Sequence, residues 1–237
     1  MERRQLNLEQ AAAYLNVEPI EVSRLVRRGE IPFSGDAARP LFLEDALDAW
    51  ASRRILGMNG RRLGAYDRDA SAAYRGDTPF VLSSLLTPER VFTSLDARTK
   101  ASVLSGLVAC ADGLGLLYDP RDLLESLRAR EELCSTGLPG GIAVPHPRNH
   151  DPYLASESFL LVARPSAPVH FGAPDGKPTD LFFLLVCHED RQHLRALARL
   201  CMVLGDPALT TTLRASDDPS EICAALAAAE AAARHNA

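Results

Sequence analysis

No apolar run in the 237 residues approaches the roughly 20 that a membrane-crossing helix needs. The opening Met1-Glu2-Arg3-Arg4-Gln5 is charged, with no apolar signal core behind it, so the expectation is a cytoplasmic chain without membrane insertion. Cysteine is scarce and not spaced for pairing: there are five, and no C-x-x-C. Cys110, Cys187, Cys201 and Cys223 sit in apolar segments and read as reduced, packed thiols, which leaves Cys134 beside a loop. Positive charge is also short, and a net charge of −5 argues against broad attraction to nucleic acid or acidic membranes. The chain has no G-K-[ST] phosphate loop, H-E-x-x-H motif or cysteine cluster, so no ATP site, cofactor or metal is expected. A metal site would have to use His146, His150, His188 and His193, and the first two share a proline-containing loop where helical spacing does not apply.

What is present is an ordinary globular composition, 46% hydrophobic and 24% charged, long enough for one large domain or two smaller ones. Residues 135–148, Ser-Thr-Gly-Leu-Pro-Gly-Gly-Ile-Ala-Val-Pro-His-Pro-Arg, are the most informative stretch. Its glycines allow close backbone approach, and the strand-like Gly141–Val144 run should stop where Pro145 removes a donor. His146 is then expected at a strand end, presented between hydroxyls and the Arg148 guanidinium, where an anion would be well received.

The pattern S-T-G-x-x-x-G-I-A-x-P-H resembles the phosphorylation motif of the mannitol/fructose/nitrogen-regulatory type of enzyme IIA from the bacterial phosphotransferase system. The resemblance extends to Arg130-Glu131-Glu132, to Asp175-Gly176-Lys177-Pro178 and to the His193-Leu194 helix, over roughly residues 80–232. It implies a phosphohistidine at His146 and an HPr-like phosphocarrier as donor. Arg130 would neutralise the transferring phosphoryl, His193 would donate to it, Thr136 would be the motif hydroxyl, and Arg148 a nearby basic group. Such a protein is an enzyme in the sense of protein-to-protein phosphoryl transfer. Pro147 and His170 depart from the family pattern, which bears on partner recognition more than on chemistry.

At the other end of the chain, Asn7 with Gln10 makes a capping-box pattern for a helix Leu8–Leu15. Pro19 opens a second helix that Gly29 ends, Ile31–Phe42 reads as a hairpin or wing, and a third helix runs from Leu43 to about Ile55. This part resembles the excisionase/MerR-like helix-turn-helix family, in the Leu8–Leu15 run, in Val22 to Pro32 and in Asp45 to Trp50. The resemblance implies that the second helix offers Ser23, Arg24, Arg27 and Arg28 to a DNA major groove. Residues 1–57 hold eight arginines against nine acids, a net of about −1 rather than a basic footprint. Docking to a target protein therefore competes with DNA contact.

The expected organisation is a helix-turn-helix domain at 1–57, a Gly- and Arg-rich linker at 58–78 with helical turns around Ala65–Tyr74, and an enzyme IIA domain at 79–235. The fold class is α/β. Near-continuous apolar runs at Phe159–Ala163 and Leu181–Cys187 read as strands covered on both faces, within a mixed sheet flanked by helices. No sugar-permease segment is present, so the expected role is regulatory phosphoryl acceptance. The alternative is a DNA-binding regulator whose second domain senses or docks without catalysing.

Overall fold

The computed structural model describes residues 4–58, 60–72, 81–148 and 152–235. A short strand β1 (Gln5–Leu6) leads into helix α1 (Leu8–Leu15). The expected capping box forms, with Asn7 and Gln10 each accepting the other's backbone N–H at 2.9 Å. Asn16 ends α1 in the left-handed region, and helix α2 (Pro19–Arg28) follows with proline in its first turn and Gly29 as its stop. Strands β2 (Ser34–Asp36) and β3 (Arg39–Leu43) form the wing, and β1 joins them in an antiparallel sheet of order β1-β3-β2.

Helix α3 (Glu44–Leu56) is buried on two sides. Leu47, Ala51 and Ile55 face the core of this unit, while Asp48 and Ser52 are buried although polar. Helix α4 (Gly60–Ala72) occupies most of the segment expected to be a linker. Its glycines and charges hid an amphipathic helix that is held by tertiary packing, with Leu63 buried in the core. Asp67 makes a two-point ion pair with Arg199, at 2.8 and 2.6 Å. Residue 59 and residues 73–80, where part of the expected linker falls, lie outside the described residues.

Two 3-10 turns precede β4 (Val91–Leu95), then come helices α5 (Lys100–Gly113) and α6 (Pro120–Leu133). Strands β5 (Gly137–Leu138), β6 (Ile142–Ala143), β7 (Phe159–Pro165) and β8 (Leu181–Val186) follow. Helices α7 (Asp190–Leu204), α8 (Pro207–Ala215) and α9 (Pro219–His235) complete the chain. The sheet order is β4-β7-β8-β6-β5, with β4/β7 and β6/β8 parallel and the other pairs antiparallel. This is the expected mixed sheet with helices on both faces.

The two long strands alternate their apolar residues between two cores, as the two-residue period of a strand requires. Phe159, Leu161, Phe182 and Leu184 face α5 and α6, and Leu160, Val162, Phe183 and Leu185 face α7 and α9. The second of these cores does not stop at α7. It runs on through Leu194, Leu197 and Ala198 into Leu47, Ile55 and Leu63 of the N-terminal unit, so the two units share one apolar body. Arg199 of α7 adds a buried polar clamp, because it also meets Glu230 of α9 at 3.1 Å. Glu230 in turn accepts the backbone N–H groups of Leu82 and Ser83.

Candidate active site

Three remote parts of the chain converge on one imidazole. His146 follows β6, where the chain keeps company with its neighbours beyond the strand itself: Val144 N–H donates to Thr136 O, and Leu185 N–H to Pro145 O, each at 3.0 Å. The ring's Nδ1 lies 2.8 Å from the Val144 carbonyl. A carbonyl only accepts, so Nδ1 carries the proton and Nε2 keeps its lone pair. Arg130, in the last turns of α6, donates its Nε–H to that lone pair at 2.9 Å. The two bonds together specify a neutral ring of one tautomer, with a cation held at the accepting nitrogen.

Arg130 is itself almost wholly buried, and its Nη1 is braced by the Cys134 carbonyl at 3.1 Å. The His193 ring, in the first turn of α7, lies 4.8 Å from the His146 ring, centroid to centroid. The structure thus brings Arg130, His146 and His193 together.

Thr136 and Arg148 sit differently from the expectation. The Thr136 hydroxyl is committed to Glu131, donating to Oε2 at 2.6 Å, so its link to His146 runs through the backbone bond to Val144. Arg148 turns toward α3, its Nη2 3.9 Å from Asp45, while its backbone N–H donates to Ser126. A larger departure concerns access. The sequence placed His146 at an open strand end, but His146 and His193 both have 0% of their surface exposed. Helix α3 packs against this pair on the His193 side, where its Ser52 Oγ stands 3.5 Å from His193 Nε2.

Glu131, next to Arg130 in the chain, has a positioning role of its own. Its carboxylate accepts the Thr136 backbone N–H and hydroxyl and pairs with Lys100 Nζ at 2.8 Å. It therefore holds the strand turn from which Val144 reaches His146. Lys100 and Ser52 carried no sequence signal, since each lies far from the motif in the chain.

Close backbone approach explains two of the motif glycines. A Cβ on Gly137 would lie 2.9 Å from the Ala173 nitrogen, and one on Gly141, at φ +79°, would meet Asp180 at 2.9 Å. His170 is exposed, and Phe171 beside it accepts the Ser135 hydroxyl through its carbonyl. His188 has its Nε2 2.9 Å from the Ala155 carbonyl, and His150 lies outside the described residues. Among the described residues no three His, Cys, Asp or Glu side chains are grouped to hold a metal.

On the helix-turn-helix face, the candidate DNA-contacting residues have local partners. Arg24 pairs with Glu21 at 2.6 Å, Arg28 approaches Glu30 at 3.9 Å, Arg27 donates to the Ser23 carbonyl, and the Ser23 hydroxyl donates to Pro19 O. The face is exposed but its charge is largely balanced.

Residues 84–229 match the family model for the phosphoenolpyruvate-dependent sugar phosphotransferase system, EIIA 2, and residues 6–55 match a helix-turn-helix domain. A nitrogen regulatory protein of Bradyrhizobium diazoefficiens is 36% identical over 148 residues, which is 62% of this chain and 94% of that protein. The nitrogen regulatory protein IIA-Ntr of Neisseria meningitidis superposes with a TM-score of 0.56 at 26% identity, covering 61% of this chain and 98% of that one. The mannitol IIA of Escherichia coli shares the fold, with a TM-score of 0.53 at 20% identity over 60% of this chain and 98% of its own. This chain belongs to the EIIA type 2 family of the phosphotransferase system and carries a helix-turn-helix domain ahead of that fold.

Proposed function

We propose that this protein accepts a phosphoryl group on His146 Nε2 from an HPr-like phosphocarrier. The observation that carries the reading is the pair of bonds on one ring, Nδ1 to the Val144 carbonyl and Nε2 from Arg130 Nε–H. A neutral imidazole with a directed lone pair is a competent nucleophile. In the transfer the N–P bond of the donor phosphohistidine breaks as the Nε2–P bond of His146 forms. The proton on Nδ1 stays where the Val144 carbonyl holds it. Arg130 shifts from Nε2 to the equatorial phosphoryl oxygens, and His193 lies within reach of the same oxygens, so the developing charge is met by groups adjacent to the acceptor.

The role is regulatory rather than sugar-transporting. The B. diazoefficiens relative is named a nitrogen regulatory protein, and among the described residues no helix is long and apolar enough to cross a membrane. The helix-turn-helix domain is the output, through DNA at Ser23, Arg24, Arg27 and Arg28 or through a docked target protein. Phosphoenolpyruvate, the first phosphotransferase enzyme and a phosphocarrier should give one acid-labile, base-stable phosphate per chain. His146→Ala should abolish it, and full labelling of that variant would refute the assignment.

A second reading is a regulator whose EIIA fold senses or docks without transferring phosphate. The complete enclosure of His146 favours it. Absence of label even when α3 is loosened, together with a gel shift that depends on Arg24, Arg27 and Arg28, would select it.

A further inference from the structure

Asp45, Asp48 and Ser52 stand at i, i+3 and i+7 of α3, which places them on one face of the helix. Asp48 turns to Tyr14 of α1, inside the helix-turn-helix unit, whereas Asp45 and Ser52 reach residues of the EIIA site. Asp45 approaches Arg148, two residues past the acceptor histidine, and Ser52 approaches His193, the acceptor's neighbour. The seat is dry as well as close. Ser52, His146 and His193 are each 0% exposed, and Asp48 is 3% exposed with its carboxylate accepting the Tyr14 hydroxyl at 3.0 Å. The surroundings are acidic: burial, Asp48, Asp190 and Glu44 all push the Tyr14 phenol well above its ordinary value.

Resting on the acceptor role of His146, we infer that this face of α3 is a built-in lid, and that lid closure and phosphate on His146 exclude one another. Two physical reasons support the exclusion. A phosphocarrier is a protein, and it cannot bring its phosphohistidine to an imidazole with no exposed surface. Once made, the phosphoryl group adds close to two negative charges and three oxygens beside a fully enclosed ring, with the Asp45 carboxylate of α3 facing Arg148 two residues on. The lid is not loosely laid. Behind it, α3 and α4 share an apolar core with α7, and Asp67 clamps Arg199. The closed state is therefore the resting state, and the rate of phosphoryl acceptance is the intrinsic rate multiplied by the open fraction. By the same linkage, phosphate on His146 drives α3 off its seat and changes how the helix-turn-helix unit is held. Its α2 face is exposed in the closed state, so what phosphate changes is the placement of that face rather than its exposure.

The test uses the full chain, with Ser52→Trp to unseat the lid sterically and Asp45→Lys as a milder second variant should the first fail to fold. Diethylpyrocarbonate modification, read by mass spectrometry, reports on imidazole access without any phosphate. In the wild type, His146 should react at least tenfold more slowly than exposed His170, and either variant should raise the His146 rate about tenfold with His170 unchanged. Phosphocarrier labelling of His146 should rise in parallel. On the phosphorylated wild type, deuterium uptake of residues 45–56 should increase. Equal His146 reactivity in wild type and both folded variants would overturn the lid, and unchanged uptake on fully phosphorylated protein would overturn the exclusion. Reactivity that responds to the lid with no label in any protein would leave the lid standing, and would refute the acceptor role and the exclusion with it.

Discussion

Arg130 Nε and His146 Nε2 are 2.9 Å apart, so the cation sits on the nitrogen that a transferred phosphoryl would take. The contact spans 16 residues of sequence and joins the end of α6 to the loop after β6. Arg130→Ala should lower the rate of His146 labelling about 10²–10³-fold, the usual cost of losing one preorganised charge-stabilising donor. Arg130→Lys should recover only part, because a single ammonium nitrogen lacks the planar fork whose Nε and Nη1 serve His146 and the Cys134 carbonyl separately. Stopped-flow or quench labelling of variants with unchanged circular dichroism checks this.

Glu131 acts at one remove, by fixing Thr136 and through it Val144. Glu131→Ala leaves the buried Thr136 N–H and hydroxyl without their acceptor, which should destabilise the fold by about 1–3 kcal/mol. It should also blur the tautomer of His146. Chemical denaturation gives the first effect, and the imidazole nitrogen shifts give the second. Unchanged shifts would confine Glu131 to stability alone.

A Cβ at residue 137 would press on the Ala173 backbone, which cannot move aside as a side chain can. Gly137→Ala should therefore cost about 1–3 kcal/mol. The same substitution at Gly140, where a Cβ meets nothing within 4 Å, should cost less of this contact penalty although its φ of +86° adds backbone strain. Denaturant midpoints of the two variants separate contact from conformation.

Much of the site was readable in the chain because a short motif carries it. The S-T-G turn, the strand to His146 and the helix bearing His193 each fall where local patterning puts them, and long apolar runs marked β7 and β8. What was not readable depends on contacts between remote segments. Nothing local in Ser52 or Lys100 says that one meets His193 and the other Glu131, at separations of 141 and 31 residues. Helix α4 is foreshadowed only as helical turns around Ala65–Tyr74, because Gly60, Gly64 and a run of charges look like linker. Its order comes from Leu63 and from Asp67 meeting Arg199, neither of which can be known before α7 is placed.

Arg199 balances two buried carboxylates, Asp67 and Glu230. Arg199→Ala leaves both without their cation and should destabilise the chain by about 3–5 kcal/mol. Thermal or urea unfolding measures this. Loss should be seen for the N-terminal unit as well as the EIIA fold, since the pair ties α4 to α7. A loss confined to one unit would contradict the shared core.

Burial raises the Cys187 thiol strongly and pushes Cys201 up to about 12. Folded protein at pH 8 should leave both unreactive toward an aromatic disulfide reagent, and denatured protein should expose all five cysteines. Above an unfolded thiol value of 9.0 the unfolded chain loses protons that the native one keeps. Stability from these groups is complete below pH 9.0 and declines as the pH rises toward 12.

The most direct measurement is a phosphorus–nitrogen coupling in imidazole-labelled protein incubated with a phosphorylated HPr-like carrier. One coupled nitrogen is expected, Nε2 of His146, with the Nδ1 proton still bonded to the Val144 carbonyl. Coupling at Nδ1, at another histidine, or at none, would contradict acceptance at Nε2.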